Sequence, residues 1–242
     1  MNKNPISILM YHSIDYEPKG SVLRGLSVPK NLFYIQLFVL KLLGFKGLSM
    51  SELIPYLEGK KNGKVFGITF DDGYLNNLEN ALPVLKKLNF SATCYLVSGN
   101  LGGTNYWDIE KGVLEKKLMD KTDIEQWIKA GMEIGSHSHN HLRLSKCTAS
   151  ELKTEILTSK KKLEEIFKVN VDHFCYPYGD STYDVKQLVK KSGYQSAVSV
   201  NRGRVSTKSD LFFLPRVLIN HRTFLISLLL KLFTRYEDRR SR

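Results

Sequence analysis

The chain has 242 residues, of which 36 are Lys or Arg and 24 are Asp or Glu. Its length suits one α/β domain, and its net charge of +12 favours anionic partners such as phospholipid headgroups, phosphorylated substrates or nucleic acid. The net charge is the only feature that favours nucleic acid. The sequence lacks the interleaved basic and aromatic residues of known nucleic-acid-binding modules, so we expect no nucleic-acid partner.

Cysteine usage and the termini indicate where the protein works. Cys94, Cys147 and Cys175 are widely spaced and odd in number, which argues against a disulfide framework and favours a reducing compartment. The apolar N-terminal segment is too short for a signal peptide, and no window of the sequence is long enough to span a bilayer. We therefore expect a cytoplasmic protein, or one that is peripheral on the inner face of the membrane.

Predicted strands and helices alternate along the chain. Apolar runs bounded by turn residues predict strands near residues 6–14, 45–48, 64–70, 91–97, 132–135, 173–176, 197–200 and 211–218. Helical spacing of apolar residues predicts intervening helices near residues 27–43, 49–57, 78–88, 122–129, 148–168 and 182–191, and a helical tail from residue 223. Capping boxes at 122–125 and 148–151 mark two helix starts. This alternation predicts a βα barrel or a doubly wound sheet.

Polar clusters fall where the predicted strands end. They are His12, the pair Asp71 and Asp72, residues 137–141, and residues 176–180. In both candidate folds the functional site lies at the carboxyl ends of the strands. The sequence therefore predicts that these clusters meet in one site.

The pair Asp71 and Asp72 ends an apolar strand and precedes Gly73. Two adjacent carboxylates repel each other unless a cation lies between them. His137 and His141 are four residues apart, so one helical turn would place both imidazoles on the same side. Two histidines and a carboxylate form a typical divalent-metal set, in which the second carboxylate is free to act as general base toward water. His139 is the alternative ligand, with poorer helical geometry.

Three segments resemble the motifs of one enzyme family. Thr-Phe-Asp-Asp-Gly at 69–73 matches the first motif of the NodB-type polysaccharide deacetylases (carbohydrate esterase family 4). His-Ser-His-Asn-His at 137–141 matches their second motif, and Tyr-Pro-Tyr-Gly at 176–179 looks like most of their third. The order and spacing also agree, so the resemblance covers roughly residues 6–218.

The resemblance implies a single deformed, seven-stranded (β/α) barrel that binds one divalent metal ion, usually zinc, with cobalt, nickel or manganese as alternatives. It implies hydrolysis of an N-acetyl group on a sugar. By position, Asp71 would be the base. The implied metal ligands are Asp72, His137 and His141. The third motif would place Tyr178 beside the acetyl group, where its backbone N–H helps to hold the oxyanion, and would place Tyr176 and Pro177 at the substrate.

The sequence departs from the family pattern in two places. The third motif normally begins with an arginine that orients the base, but Cys175 stands there, so either another cation does this work or the base is less constrained. The family's last motif is Leu-x-His, whereas the segment from Leu218 to His221 has one residue too many. The first strand ends in His12 instead, which resembles the circularly permuted biofilm-polysaccharide deacetylases. We expect His12 to be the general acid, with His221 as the alternative.

Two further features have open interpretations. Trp107 follows a glycine-rich loop, and it either stacks on a sugar ring or packs in the core. The segment 223–242 is an apolar helix followed by arginines. It either lies in a membrane interface as an amphipathic basic helix or closes the barrel.

These features predict a metal-dependent N-deacetylase that acts on an N-acetylated polysaccharide or lipid-linked glycan, in surface-polysaccharide or lipopolysaccharide assembly. One alternative keeps the hydrolase but changes the bond, to an O-acetyl ester or to the formyl group of a lipid-linked amino sugar. A second alternative is a carbohydrate-binding protein without catalysis. The chain over residues 1–242 is expected to be one domain.

Overall fold

The computed structural model describes residues 5–109 and 112–240, so Arg242 of the predicted basic tail lies outside the described residues. Within these ranges the chain forms eight strands, and each strand pair is parallel. The strands are β1 (Ile8–Tyr11), β2 (Lys46–Leu48), β3 (Val65–Phe70), β4 (Thr93–Leu96), β5 (Glu133–Ser136), β6 (His173–Cys175), β7 (Ser196–Arg202) and β8 (Leu214–Leu218).

Seven of these strands close into a ring. The order runs β1, β8, β7, β6, β5, β4, β3, and β3 then pairs with β1. Strand β2 pairs with the first half of β3, whereas β4 pairs with the end of β3, so β2 adds to the barrel without entering the ring. The prediction of a deformed, seven-stranded (β/α) barrel is confirmed.

Nine α-helices lie in the described residues: α1 (Lys30–Leu42), α2 (Met50–Leu57), α3 (Leu82–Leu88), α4 (Tyr106–Ile109), α5 (Lys121–Lys129), α6 (Ala149–Lys153), α7 (Ser159–Phe167), α8 (Tyr183–Lys191) and α9 (Leu225–Phe233). The capping box predicted at 148–151 is confirmed. The one predicted at 122–125 is wrong, because Asp120 and Asp123 cap each other's backbone N–H at the start of α5. An aspartate is a stronger N-cap than a threonine, so the helix begins earlier.

Side chains on the strands alternate between the helices and the barrel interior. On β3, Phe66, Ile68 and Phe70 belong to the large core beneath the helices. Val65 belongs to a second core inside the barrel, together with residues such as Ile8 and Leu214. Because side chains alternate along a strand, every second position of β3, of the residues after it and of β8 faces the barrel interior. It therefore decides which polar side chains reach the site.

His173 lies away from the polar clusters that the sequence predicts to form the site. Its Nδ1 is 2.8 Å from the Ser196 hydroxyl, and its Nε2 is 2.9 Å from the Ser51 hydroxyl and 3.5 Å from Glu133. The imidazole is buried and both of its nitrogens have partners. His173 is therefore a structural residue at the start of β6, at the opposite end of that strand from Tyr176.

The segment from residue 223 folds onto the barrel. Helix α9 buries Leu228 and Leu232 in the main core. After the helix, the buried Glu237 accepts hydrogen bonds from the Arg202 Nε and Nη2 at 2.6 and 2.9 Å, and Asp238 pairs with Arg204. In the described part of the chain, no helix is both long enough and apolar enough to cross a membrane.

Candidate active site and metal centre

A cavity of about 380 Å³ lies at the carboxyl ends of the barrel strands. It brings together residues from β1, β3 and the segments that follow β5 and β6, as the predicted convergence of polar clusters requires. Its walls include the predicted site residues His12, Asp71, Asp72, His137, His141, Tyr176 and Tyr178.

Asp71 and Asp72 are adjacent in sequence but turn to different partners. The backbone of Asp72 has φ +72° and that of Gly73 has φ +79°, so the chain reverses sharply at the end of β3. The positive φ of Gly73 favours glycine, and a Cβ there would also press on the Leu96 Cδ2 at 2.9 Å. A left-handed aspartate is strained, and such strain is concentrated at functional sites.

Asp72 meets two imidazoles. Its Oδ1 lies 3.4 Å from the Nε2 of His137 and 3.4 Å from the Nε2 of His141, and all three side chains are buried. His137 donates from Nδ1 to the Cys175 carbonyl at 2.8 Å, which leaves its Nε2 lone pair directed toward Asp72. One carboxylate and two imidazoles, with ligand atoms within 4.8 Å of one another, fit a divalent ion.

The two histidines do not meet through a helical turn. That part of the prediction is wrong, because Ser138 and His141 adopt left-handed conformations with φ of +65° and +59°. The segment is instead a tight loop after β5, and the side chains converge because the loop curls back. His139, the alternative ligand, contacts the Ser98 hydroxyl through Nδ1 at 2.9 Å and lies outside the ligand cluster.

A buried carboxylate holds this loop in place. Glu155 lies in a π-helical turn between α6 and α7, and its carboxylate accepts the backbone N–H of His139 at 3.1 Å and of Asn140 at 2.8 Å. It also accepts the Asn140 side-chain amide at 2.8 Å. The insertion of one residue into the helix aims Glu155 at the loop, which is a frequent use of such turns.

Asp71 is paired with an arginine that sequence reasoning missed. Arg216 on β8 donates from Nη1 and Nη2 to the two oxygens of Asp71 at 2.6 and 2.7 Å. Both groups are buried. Burial by itself would raise the pKa of the Asp71 carboxyl, but the Arg216 guanidinium outweighs it and holds that pKa below its ordinary value. Asp71 is therefore an ionised carboxylate in a fixed orientation, as a general base requires.

Arg216 takes the place of the arginine that the third motif lacks. Its Nη2 lies 3.2 Å from the Cys175 sulfur, so the small side chain at 175 leaves room for a guanidinium that arrives from another strand. Burial raises the pKa of the Cys175 thiol, which keeps this cysteine protonated and unsuited to a nucleophile's role. The available signal in the sequence was a single charge in the apolar strand Leu214–Leu218, because a buried arginine needs an anionic partner.

The structure brings one of the two candidate acids to the cavity. The Nε2 of His12 is 3.8 Å from Asp71 Oδ2. His221 lies elsewhere, in a neighbouring pocket, where its Nδ1 donates to the Arg24 carbonyl at 2.6 Å. Strands β1 and β8 are neighbours, as the permuted arrangement implies, but only His12 faces the Asp71 carboxylate.

Of the remaining predicted residues, two line the cavity and two do not. Tyr178, with φ +58°, lines the cavity, and its ring lies 4.7 Å from the His141 ring. Tyr176 also lines it, and its hydroxyl donates to a backbone carbonyl at 2.8 Å. Pro177 is buried and is not among the lining residues in the described part of the chain. Trp107 stacks on the His141 ring at 4.5 Å and likewise does not line the cavity.

Two charged residues at the cavity had no predicted role there. Asp108, on α4 beside Trp107, is buried and lines the wall. Arg202, at the end of β7, also lines the wall, and Glu237 accepts two of its hydrogen bonds. Both come from segments whose position depends on tertiary packing, so no local motif identifies them.

Comparisons with known proteins agree with this geometry. The family model for polysaccharide deacetylases matches residues 58–197. YxkH of Bacillus subtilis, assigned by name to the polysaccharide deacetylases, is 30% identical over 217 residues, which cover 89% of this chain and 71% of YxkH. A poly-beta-1,6-N-acetyl-D-glucosamine N-deacetylase of Staphylococcus aureus is 29% identical over 215 residues, covering 84% of this chain and 71% of the relative.

Solved structures share the barrel. The Streptococcus pyogenes deacetylase PplD, in complex with acetate, superposes with a TM-score of 0.82 at 26% identity, over 95% of this chain and 98% of PplD. IcaB from Ammonifex degensii superposes with a TM-score of 0.77 at 21% identity, over 92% of this chain and 94% of IcaB, which supports the fold alone. Since the family match covers more than half of the sequence and the barrel agrees, this chain belongs to the NodB-type polysaccharide deacetylase family.

Proposed function

We propose that the protein is a metal-dependent hydrolase that removes the N-acetyl group from an N-acetylated sugar of a polysaccharide or lipid-linked glycan. The observation that carries this proposal is the division of labour between the two aspartates. Asp71 is fixed by Arg216 beside His12, whereas Asp72 faces two imidazoles in the same cavity. In this proposal Asp71 is the base, His12 is the acid and Asp72 belongs to the metal-ligand set, and all three residues line one cavity large enough for a sugar.

The reaction adds water across the C–N bond of the acetamide. Asp71 accepts a proton from the attacking water, and Arg216 keeps the carboxylate aimed at it. A positioned base of this kind contributes about 10²–10⁴-fold to the rate. Arg216 also holds Asp71 ionised, so the base is ready before the substrate arrives.

Departure of the amine needs a proton from the protein. His12 supplies it to the sugar nitrogen as the bond to the acetyl carbon breaks, so that acetate and a free amine result. Tyr178 lies beside His141 on the cavity wall, and we assign to its backbone N–H the stabilisation of the developing oxyanion. The strained left-handed backbone at Tyr178 fixes the direction of this N–H.

Asp72, His137 and His141 would hold the metal, for which zinc is the best fit because the set combines one carboxylate with two imidazoles. When bound, a divalent ion supplies Lewis acidity that acidifies water and polarises the acetyl carbonyl. The protein's part is to keep these ligands buried and preoriented. The hydrogen bond from His137 to the Cys175 carbonyl and the Glu155 clamp on the ligand loop do this.

Acetate release from a set of sugars tests the proposal. The purified, zinc-loaded protein should release acetate from N-acetylglucosamine oligomers or from a lipid-linked N-acetyl sugar, and chelation should abolish this release. Release from O-acetylated sugars alone would make it an esterase, and formate release from a formylated amino sugar would make it a deformylase. Binding of these sugars without any hydrolysis would leave a carbohydrate-binding protein and would contradict the proposed enzyme.

We also propose that one side of the barrel contacts a membrane. The cytoplasmic location expected from the sequence would make this the inner face of the membrane. Helix α9 exposes Ile226 (78%), Leu230 and Phe233, which form one stripe at helical spacing. Helix α1 packs beside it and exposes a second stripe that ends in Leu42. Exposed arginines follow α9 and would meet anionic headgroups.

Replacing Ile226 and Leu230 with Asp should lower the partition of the protein onto vesicles that contain anionic lipid by about tenfold or more, because two apolar contacts are lost and two negative charges are added. Sedimentation with liposomes measures this. Leu114→Asp, at an exposed leucine between α4 and α5, is the matched control and should bind as the unchanged protein does. Equal binding by the α9 variant and this control would refute the membrane contact.

A further inference from the structure

A second pocket, of about 370 Å³, adjoins the catalytic cavity. Leu26 and Leu218 line the catalytic cavity, whereas Gly25 and Asn220 line the second pocket. Because consecutive Cα atoms are about 3.8 Å apart, these lining residues of the two hollows lie within about 8 Å of each other. A hydrogen bond from His221 Nδ1 to the Arg24 carbonyl joins the loop after β1 to the loop after β8, and both residues line this second pocket.

Two arginines line the second pocket. They are Arg24 and Arg222, and among the described residues the structure gives neither side chain a hydrogen-bond or ion-pair partner. The acidic residues on the same loop as Arg24 are already engaged, since Asp15 and Glu17 both pair with Lys116. The pocket therefore keeps two uncompensated positive charges, which suits an anionic ligand with several acceptor oxygens.

The arginine that lines the catalytic cavity, unlike Arg24 and Arg222, has an anionic partner. Arg202 is neutralised by the buried Glu237, which accepts its Nε and Nη2 at 2.6 and 2.9 Å. Arg143 lies over the Tyr178 ring at 4.4 Å, and in the described part of the chain it is not among the residues that line either hollow. Of the described arginines that line either hollow, Arg24 and Arg222 in the second pocket have no anionic partner, whereas Arg202 in the catalytic cavity has one. A substrate that uses both hollows would place its N-acetyl group in one and a charged group in the other.

Exposed apolar side chains lie close in sequence to the two arginines of the second pocket. Val22, two residues before Arg24, is 59% exposed, and Phe224, two residues after Arg222, is 64% exposed. Phe224 precedes α9, whose exposed stripe continues the apolar surface. Along both loops, counted away from the catalytic cavity, residues of that cavity are thus followed by an arginine of the second pocket and then by an exposed apolar side chain. A sugar, a phosphate and a hydrocarbon chain follow one another in the same order in a lipid-linked glycan.

We propose that Arg24 and Arg222 form a phosphate subsite that receives the phosphate joining an N-acetylated sugar to its lipid carrier. The inference rests on the proposed deacetylase function and names its substrate class as a sugar phosphate lipid. His221 contributes by holding the Arg24 loop through its Nδ1–H, which gives a role to the histidine that the catalytic cavity leaves out. The phosphate is bound and is not a reactant, so the acetyl chemistry is unchanged.

Kinetics on paired substrates test this subsite. One substrate is N-acetylglucosamine 1-phosphate esterified to a short isoprenoid alcohol, and its neutral partner is an alkyl glycoside of N-acetylglucosamine with a similar chain. Arg24→Gln and Arg222→Gln should each raise KM for the phosphate ester by about tenfold, because each removes a charge-assisted contact. The kcat for this ester and all constants for the neutral glycoside should change less than about twofold. Lys129→Gln, at an exposed lysine of α5 that belongs to neither hollow, is the matched control.

Equal effects on the charged and neutral substrates, or no effect on either, would overturn the subsite. If UDP-N-acetylglucosamine had as low a KM as the isoprenoid ester, the phosphate site would stand and the lipid carrier would be overturned. Titration calorimetry of the isoprenoid phosphate ester on zinc-loaded Asp71→Asn separates binding from turnover. Weaker binding after Arg24→Gln in this background would support the subsite even if no sugar were deacetylated. The absence of deacetylation would contradict only the proposed reaction.

Discussion

Replacing Arg216 with Cys should lower kcat for acetate release by about 10²–10³-fold, because the general base loses its orientation and its charge partner. The bidentate pair with Asp71 is buried, and removing one partner of such a pair also costs about 3–5 kcal/mol of stability. Kinetics at saturating substrate, with the folded fraction measured by thermal unfolding, separate these two effects. Metal content should be retained, since the ligand side chains are untouched.

A double variant supplies the matched control for Arg216. Combining Arg216→Cys with Cys175→Arg returns the guanidinium to the position that the family's third motif normally uses, from which it can reach Asp71. The Cys175 sulfur already lies 3.2 Å from the Arg216 Nη2, so the exchange conserves the contents of this space. The double variant should recover at least about tenfold in kcat over Arg216→Cys alone, by restoring the buried charge pair. Near-normal kcat in the single variant would show that Asp71 does not depend on Arg216.

Replacing His12 with Ala should lower kcat by about 10²–10⁴-fold, since the leaving amine loses its proton donor. KM and zinc content should stay close to those of the unchanged protein, because His12 is not part of the ligand cluster. His221→Ala is the informative comparison, as it removes the rival acid. It should keep most of its kcat on a neutral substrate, since its imidazole is bound to the Arg24 carbonyl outside the catalytic cavity.

The two histidine variants together distinguish the permuted arrangement from the usual one. A large loss of kcat in His221→Ala, with His12→Ala close to normal, would assign the general acid to the C-terminal segment. Loss of zinc from His12→Ala would show instead that this histidine is a ligand. Either result would remove His12 from the proposed mechanism.

The parts of the site that the sequence predicts are those carried by short, continuous segments. Asp71 and Asp72 follow one strand, and the ligand histidines lie in one five-residue loop, so their proximity is fixed locally. The barrel follows from the alternation of strands and helices together with the family motifs. Parallel strands present their carboxyl ends at one edge, so these segments had to converge.

The parts that sequence reasoning missed depend on which strands become neighbours and which way each side chain points. Arg216 is 145 residues from Asp71, and its role requires both the closed ring and the register of β8. The loop from 137 to 141 was expected to be helical because spacing by four has that meaning in an isolated segment. The buried Glu155 and two left-handed residues impose a different loop with the same convergence. Sequence spacing thus indicated which side chains come together at this loop, but not the backbone that brings them together.

Metal analysis of single variants tests the division of labour between Asp71 and Asp72 most directly. After loading with zinc and removal of excess ion, the unchanged protein and Asp71→Asn should each hold one ion per chain, and only the unchanged protein should release acetate. Asp72→Asn, His137→Ala and His141→Ala should each lose most of the zinc, because a three-ligand set loses a member. Full zinc content in Asp72→Asn, or its loss from Asp71→Asn, would contradict the assignment of base and ligand.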